Sequence, residues 1–121
     1  MSRVLKPTFE RNDARGLFQE WVNSGEWKEL NYGSMKEGGL MGNHYHKVTE
    51  MMFFLISGSA DVVIENIKTR KKENLKLGPR EGVAFHPFES HALKFTADTE
   101  FVMLKSGYDP KNPDIFEPPV M

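Results

Sequence analysis

The four histidines of the chain fall in two tight pairs, His44 with His46 and His86 with His91. In a β-strand, residues i and i+2 share a face with Cα atoms roughly 6.6 Å apart. Two imidazoles at 44 and 46 can therefore converge on one ion without bending the chain. Glu50 follows at the head of an apolar run, where a carboxylate is costly unless a cation or donor meets it. His91 ends the Pro87-Phe88-Glu89-Ser90 turn and opens another strand. His44, His46, Glu50 and His91 together offer three nitrogens and one carboxylate oxygen. That set suits zinc, nickel, iron or manganese and does not suit calcium or magnesium. Spacing does not choose among the four.

Strands must carry these residues. Met51–Ile56 is apolar on both faces and closed by Ser57-Gly58, as expected of a strand covered on both sides. Residues 60–66 (ADVVIEN) follow at once, so Gly58-Ser59 reads as a hairpin turn. Lys68-Thr69-Arg70-Lys71-Lys72 then suits a solvated hairpin tip. Further short strands fit 74–77, 82–86, 92–96 and 100–105, separated by Gly78-Pro79, Pro87 and Ala97-Asp98-Thr99. Such even spacing predicts a sandwich or barrel. Leu17–Val22 is compatible with a helix capped at Asp13, but Gly16, Phe18 and Trp21 favour a strand. The tail, 109–121, holds four of the seven prolines and reads as extended, packed by Ile115 and Phe116.

A length of 121 residues suits one domain, with N-terminal strands over 1–37, a barrel over 38–105 and a Pro-rich tail over 106–121. Net charge is −1, from 16 Lys+Arg against 17 Asp+Glu, which argues against a nucleic-acid partner. With no cysteine, thiol nucleophiles and Cys-zinc sites are excluded. The opening residues lack the apolar core of a signal peptide, and no apolar run approaches the length of a membrane span. The expectation is a cytoplasmic protein with no membrane partner.

Gly38-x5-His44-x-His46-x3-Glu50, ending at Gly58, resembles the first motif of the cupin superfamily, and Gly82-x4-Pro87-x3-His91 resembles the second. The resemblance implies an all-β fold, the double-stranded β-helix or jelly-roll cupin barrel, with His44, His46, Glu50 and His91 as metal ligands. A closer resemblance spans roughly residues 9–117. Asp13-Ala14-Arg15-Gly16-Leu17-Phe18-Gln19-Glu20 is similar to the D-x-R-G-x-F-x-E opening of deoxysugar nucleotide 3,5-epimerases. Gly42-Asn43-His44-Tyr45-His46 is similar to the G-N-H-Y-H of the cupin domain in capsular polysaccharide synthesis reductases. Met41 stands where that group typically has arginine, which leaves Arg15 as the cationic partner for a substrate phosphate.

This likeness implies an epimerase or isomerase acting on a nucleotide sugar next to a 4-keto group. The metal would polarise the carbonyl, and a base would move the neighbouring proton. His86 and Tyr108 are the candidate acids or bases, with Tyr45, expected to point outward, a weaker third. Arg15, Phe18, Glu20 and Met52 are the candidate substrate-binding residues. Trp21 and Trp27 read as packing or dimer-contact residues, with stacking on a sugar or base as the alternative. Two other classes stay open: a non-catalytic cupin that binds a small molecule or senses metal, and a small iron-dependent oxygenase. A homodimer is expected by analogy with similar jelly rolls.

Overall fold

The computed structural model describes residues 3–107 and 115–116. Ten strands run through them, with no helix: β1 (Phe9–Asp13), β2 (Gly16–Glu20), β3 (Glu29–Met35), β4 (Leu40–His44), β5 (Met51–Ser57), β6 (Ala60–Asn66), β7 (Lys72–Leu77), β8 (Gly82–Phe85), β9 (Glu89–Phe95) and β10 (Thr99–Lys105). The strand reading of residues 17–22 therefore holds over Gly16–Glu20, and the helix alternative does not. No described helix is long and apolar enough to cross a membrane.

β1 and β2 form a hairpin of their own. The other eight strands make two four-stranded antiparallel sheets, ordered β3-β10-β5-β8 and β4-β9-β6-β7. Alternate residues of each strand face inward, as the two-residue period requires. Met51, Phe53 and Leu55 of β5 meet Val62 and Ile64 of β6 and Leu93 and Phe95 of β9 in one core. Phe53 stacks on Phe101 with ring centroids 4.6 Å apart, and Phe95 closes the cluster at 6.0 Å from Phe101. Phe53, Phe85 and Phe95 are at most 1% exposed. Burying each such ring contributes about 1.5–3 kcal/mol. Phe54, on the other face of β5, is covered by Trp21 at a centroid separation of 5.7 Å.

One sequence expectation is corrected. Gly58-Ser59 is not a hairpin turn, because β5 and β6 belong to different sheets. The chain crosses between sheets there. Gly58 has φ +90, and a side chain at this position would collide with Thr99 and the Asp98 carbonyl. Only glycine fits both the left-handed backbone and the close approach of the neighbouring turn. A short spacer between two apolar strands reads the same for a hairpin and for a corner between layers. The basic stretch does form a hairpin tip, between β6 and β7. Most of the Pro-rich tail lies outside the described residues. Within it, Phe116 pairs with Tyr45 through two backbone hydrogen bonds of 2.9 Å.

Candidate metal centre

β4 and β9 run antiparallel, and His44 lies directly across from His91. The register slips between Gly42 and His44, so the bulge sets two residues of β4 against one of β9. Gly42 at φ +84 and Asn43 at φ 68 carry the kink. A Cβ on Gly42 would stand 2.8 Å from the His91 carbonyl oxygen and 3.1 Å from its ring. Glycine thus lets β4 close onto β9 and bring the two histidines together. His46, just past the strand, completes the group.

The ring centroids are 4.9 Å apart for His44–His46, 5.0 Å for His44–His91 and 5.4 Å for His46–His91. One nitrogen from each ring lies within 4.8 Å of the other two. His91 is 1% exposed and lies flat on Phe85, with centroids 4.1 Å apart and planes 6° apart. Its Nδ1 is 3.3 Å from the Glu89 carbonyl oxygen. A proton on Nδ1 donated to that carbonyl leaves Nε2 as the lone-pair nitrogen. Desolvation, reinforced by His44 and His46, pushes the His91 imidazole down to about 3. Desolvation and His46 also lower His44. At neutral pH both rings are held uncharged, the form in which imidazole ligates a metal.

The cavity around these nitrogens has a volume of about 120 Å³, walled by Met51, Met103, Lys105 and Ile115 among others. Lys105 carries no signal as part of a motif. It is readable only by parity, since Phe101, Met103 and Lys105 share the inward face of β10. Among the described residues the donor set is three imidazoles. Such a set fits a transition metal of the zinc, nickel, iron or manganese kind.

The same parity that turns Met51 inward turns Glu50 and Met52 outward. Glu50 is not one of the converging donors. Its Oε2 is 2.8 Å from Nδ1 of His86, and Glu50, Met52 and His86 line a groove on the outer face of the β5–β8 sheet. Arg15, Phe18 and Glu20 sit on the β1–β2 hairpin and do not line the histidine cavity. Arg15 is paired with Asp13 at 2.8 Å, the Glu20 carboxylate accepts the Thr8 hydroxyl at 2.9 Å, and Phe18 is 55% exposed. Tyr45 packs between Phe116 and Phe88 at 5.5 and 6.3 Å. Tyr108 lies outside the described residues.

Residues 11–116 match a family model described as the polysaccharide biosynthesis C-terminal domain. No curated protein matches the sequence. Among solved structures, the RmlC epimerase of Mycobacterium tuberculosis aligns with a TM-score of 0.75 at 22% identity, over 89% of this chain and 64% of that one. A 3,4-ketoisomerase from Helicobacter canadensis aligns with a TM-score of 0.78 at 21% identity, over 93% and 87% of the two chains. The capsular polysaccharide assembling protein CapF of Staphylococcus aureus gives 0.71 at 20%, over 93% of this chain and 34% of that one. The chain thus spans less than two thirds of the Mycobacterium epimerase and about one third of CapF. What they share with it is the cupin jelly roll. With the family model matching across almost the whole described chain, this protein belongs to the polysaccharide biosynthesis C-terminal domain family, built on a cupin barrel.

Proposed function

We propose that this chain is a metal-binding cupin that epimerises or isomerises a nucleotide sugar next to a keto group. His44, His46 and His91 would hold the metal, as zinc, nickel, iron or manganese. The observation that carries the reading is the convergence of three imidazole nitrogens within 4.8 Å of one another inside the barrel. Its structural neighbours include an epimerase and a 3,4-ketoisomerase, which supports the reaction class. A bound divalent ion would supply Lewis acidity toward a substrate carbonyl oxygen.

The chain's own residues would do the rest. Phe85 and Met51 keep the neighbourhood of His91 dry, which strengthens every polar interaction there. A cavity of about 120 Å³ is small beside the few hundred Å³ typical of ligand pockets, so it would admit the reacting end of a sugar and leave the nucleotide outside. Lys105, on the cavity wall, and Tyr108, three residues further along the chain, are the groups to test for moving the proton. His86 lines the outer groove and not the histidine cavity, so it is not among them. Arg15, Phe18 and Glu20 would clamp the phosphates and ribose from the exposed hairpin of a second copy in a homodimer, a reading supported by Phe9, Leu17 and Phe18 standing 50%, 46% and 55% exposed.

A second reading is favoured by the outward Glu50: with no carboxylate among the donors, neutral His44 would act as base without a metal. Elemental analysis separates the two. About one transition metal per chain supports the first; a metal-free protein that also refuses added zinc supports the second. Activity is tested by solvent deuterium incorporation into 4-keto nucleotide sugars. Label on the carbon next to the carbonyl is the expected result. No exchange by metal-loaded protein would make this a binding or sensing cupin instead, and oxygen uptake on iron loading would make it an oxygenase.

A further inference from the structure

Just past the ends of β5 and β8, on the outer side of their sheet, lies a second set of chemistry-bearing residues that the barrel does not use. Met51 of β5 pairs with Phe85 of β8, and Met52 with Ala84. Continuing that register by one residue brings Glu50 beside His86, just past the strand ends. The pair stands at one end of a groove of about 370 Å³, whose walls include Trp27, Met52, Ala84 and Ser106. That volume reaches the range of small-molecule sites, unlike the histidine cavity, from which Met51 divides it.

The groove is built before any ligand arrives. The Trp27 indole donates to the Ser24 carbonyl at 2.6 Å and rests against Gly25, where a Cβ would stand 2.9 Å from the ring. The next residue, Lys28, is tied by its backbone N–H to the Lys105 carbonyl at 2.9 Å. At the polar end, the Glu50 amide donates to Ser106 Oγ at 3.0 Å, and the Ser106 amide donates back to the Glu50 carbonyl at 3.0 Å. The His86 amide donates to Glu89 Oε1 at 2.8 Å. Both backbones are fixed while the side chains pair over the groove. If Nδ1–H of His86 donates to Glu50, Nε2 presents a lone pair, and the second carboxylate oxygen presents another acceptor.

A fixed indole beside paired acceptors is matched by a ligand with an apolar ring face and hydroxyl donors on its edge. A pyranose has both. We propose that this groove is a saccharide-binding site, in which a pyranose ring stacks on Trp27 and its hydroxyls donate to Glu50 and His86. It is separate from the three-histidine centre and does not depend on the function proposed for that centre.

The test uses the full chain, 15N-labelled and kept in chelator so that the metal centre plays no part. D-glucose, L-fucose and N-acetyl-D-glucosamine are titrated in turn, with thymidine as a planar control. At least one sugar should shift the Trp27 indole N–H and the His86 ring signals while leaving those of His91 in place. Glu50→Gln and His86→Asn, both at solvent-accessible positions, should each weaken that binding by about tenfold, the scale of one lost hydrogen bond to a charged or basic partner. Trp27→Phe should retain part of the affinity that Trp27→Ala loses. The proposal is overturned if no sugar moves these signals, if thymidine alone does, or if Glu50→Gln binds as tightly as the parent. It is also overturned if the same signals shift with protein concentration alone, which would make this face a contact between copies.

Discussion

The barrel wall around the start of β5 has two sides, and they treat the same side-chain chemistry in opposite ways. Inside the barrel, His91 is 1% exposed, stacked on Phe85 and stripped of its proton affinity by burial. Outside, Glu50 and His86 pair with their side chains 44% and 58% exposed. The inner face makes neutral lone pairs suited to an ion; the outer face makes a solvated hydrogen-bonding pair suited to hydroxyl groups. One residue of strand parity separates the two environments. Glu50 lines only the groove, whereas Met51, buried in the core, stands between the groove and the histidine cavity and lines both.

The largest expected effect breaks the comparison at its centre. His46→Ala should abolish metal uptake, taking elemental analysis from about one metal per chain to background, because two imidazoles remain where three converged. Glu50→Gln should leave the metal content unchanged. Loss of metal in Glu50→Gln would show that the carboxylate swings inward on binding, and the two faces would then share a ligand.

Next comes packing. Phe53→Ala removes a ring that is 1% exposed and stacked on Phe101, and should cost about 3–5 kcal/mol in denaturant unfolding. Leu30→Ser, on the solvent side of β3 at 71% exposure, should change stability by less than about 0.5 kcal/mol. Equal costs would mean that the outer face of β3 is covered in solution.

Acid should then separate the faces. His91 takes its proton near 6.5 in the unfolded chain but only at about 3 in the folded one. Between those values the unfolded chain binds more protons. Stability of the metal-free protein is therefore full above pH 6.5 and falls as the pH drops towards 3, losing about 2 kcal/mol by pH 5 from this residue at roughly 1.4 kcal/mol per pH unit. Denaturant curves at pH 7.5, 6 and 5 in chelator measure the slope. His91→Asn should flatten it over that range; an unchanged slope would mean that other groups control the acid response.

How much of this was legible in the sequence follows from what parity and spacing encode. His44 and His46 share a face at two residues' separation, and His91 after its turn was readable as their partner. The apolar run of β5 and the alternation in β6 named the core. What spacing left open was direction. Glu50 sits four residues beyond His46, and a loop in between erases the strand period, so the face it takes is set by Met51 and Phe53 packing inward. The Gly58-Ser59 corner reads as a hairpin for a related reason: a turn between sheets and a turn within one differ only in long-range partners. Lys105 was visible in principle, as the charged member of an otherwise apolar inward row in β10. Arg15, Phe18 and Glu20 stand in a motif, but a motif fixes their place on a hairpin and not what that hairpin faces.

The smallest expected effect is the one that most sharpens the outer site. An exposed pair such as Glu50–His86 is worth about 0–1 kcal/mol, because water solvates both partners well and ordering two side chains offsets much of the attraction. Glu50→Gln should therefore shift thermal unfolding hardly at all, within about 0.5 kcal/mol, since the amide can still accept from His86 and the backbone bonds to Ser106 are untouched. If stability holds while sugar binding falls, the pair is there for a ligand rather than for the fold. If Glu50→Gln instead costs more than about 2 kcal/mol, the carboxylate is bracing the ends of β5 and β8, and the outer face is structural.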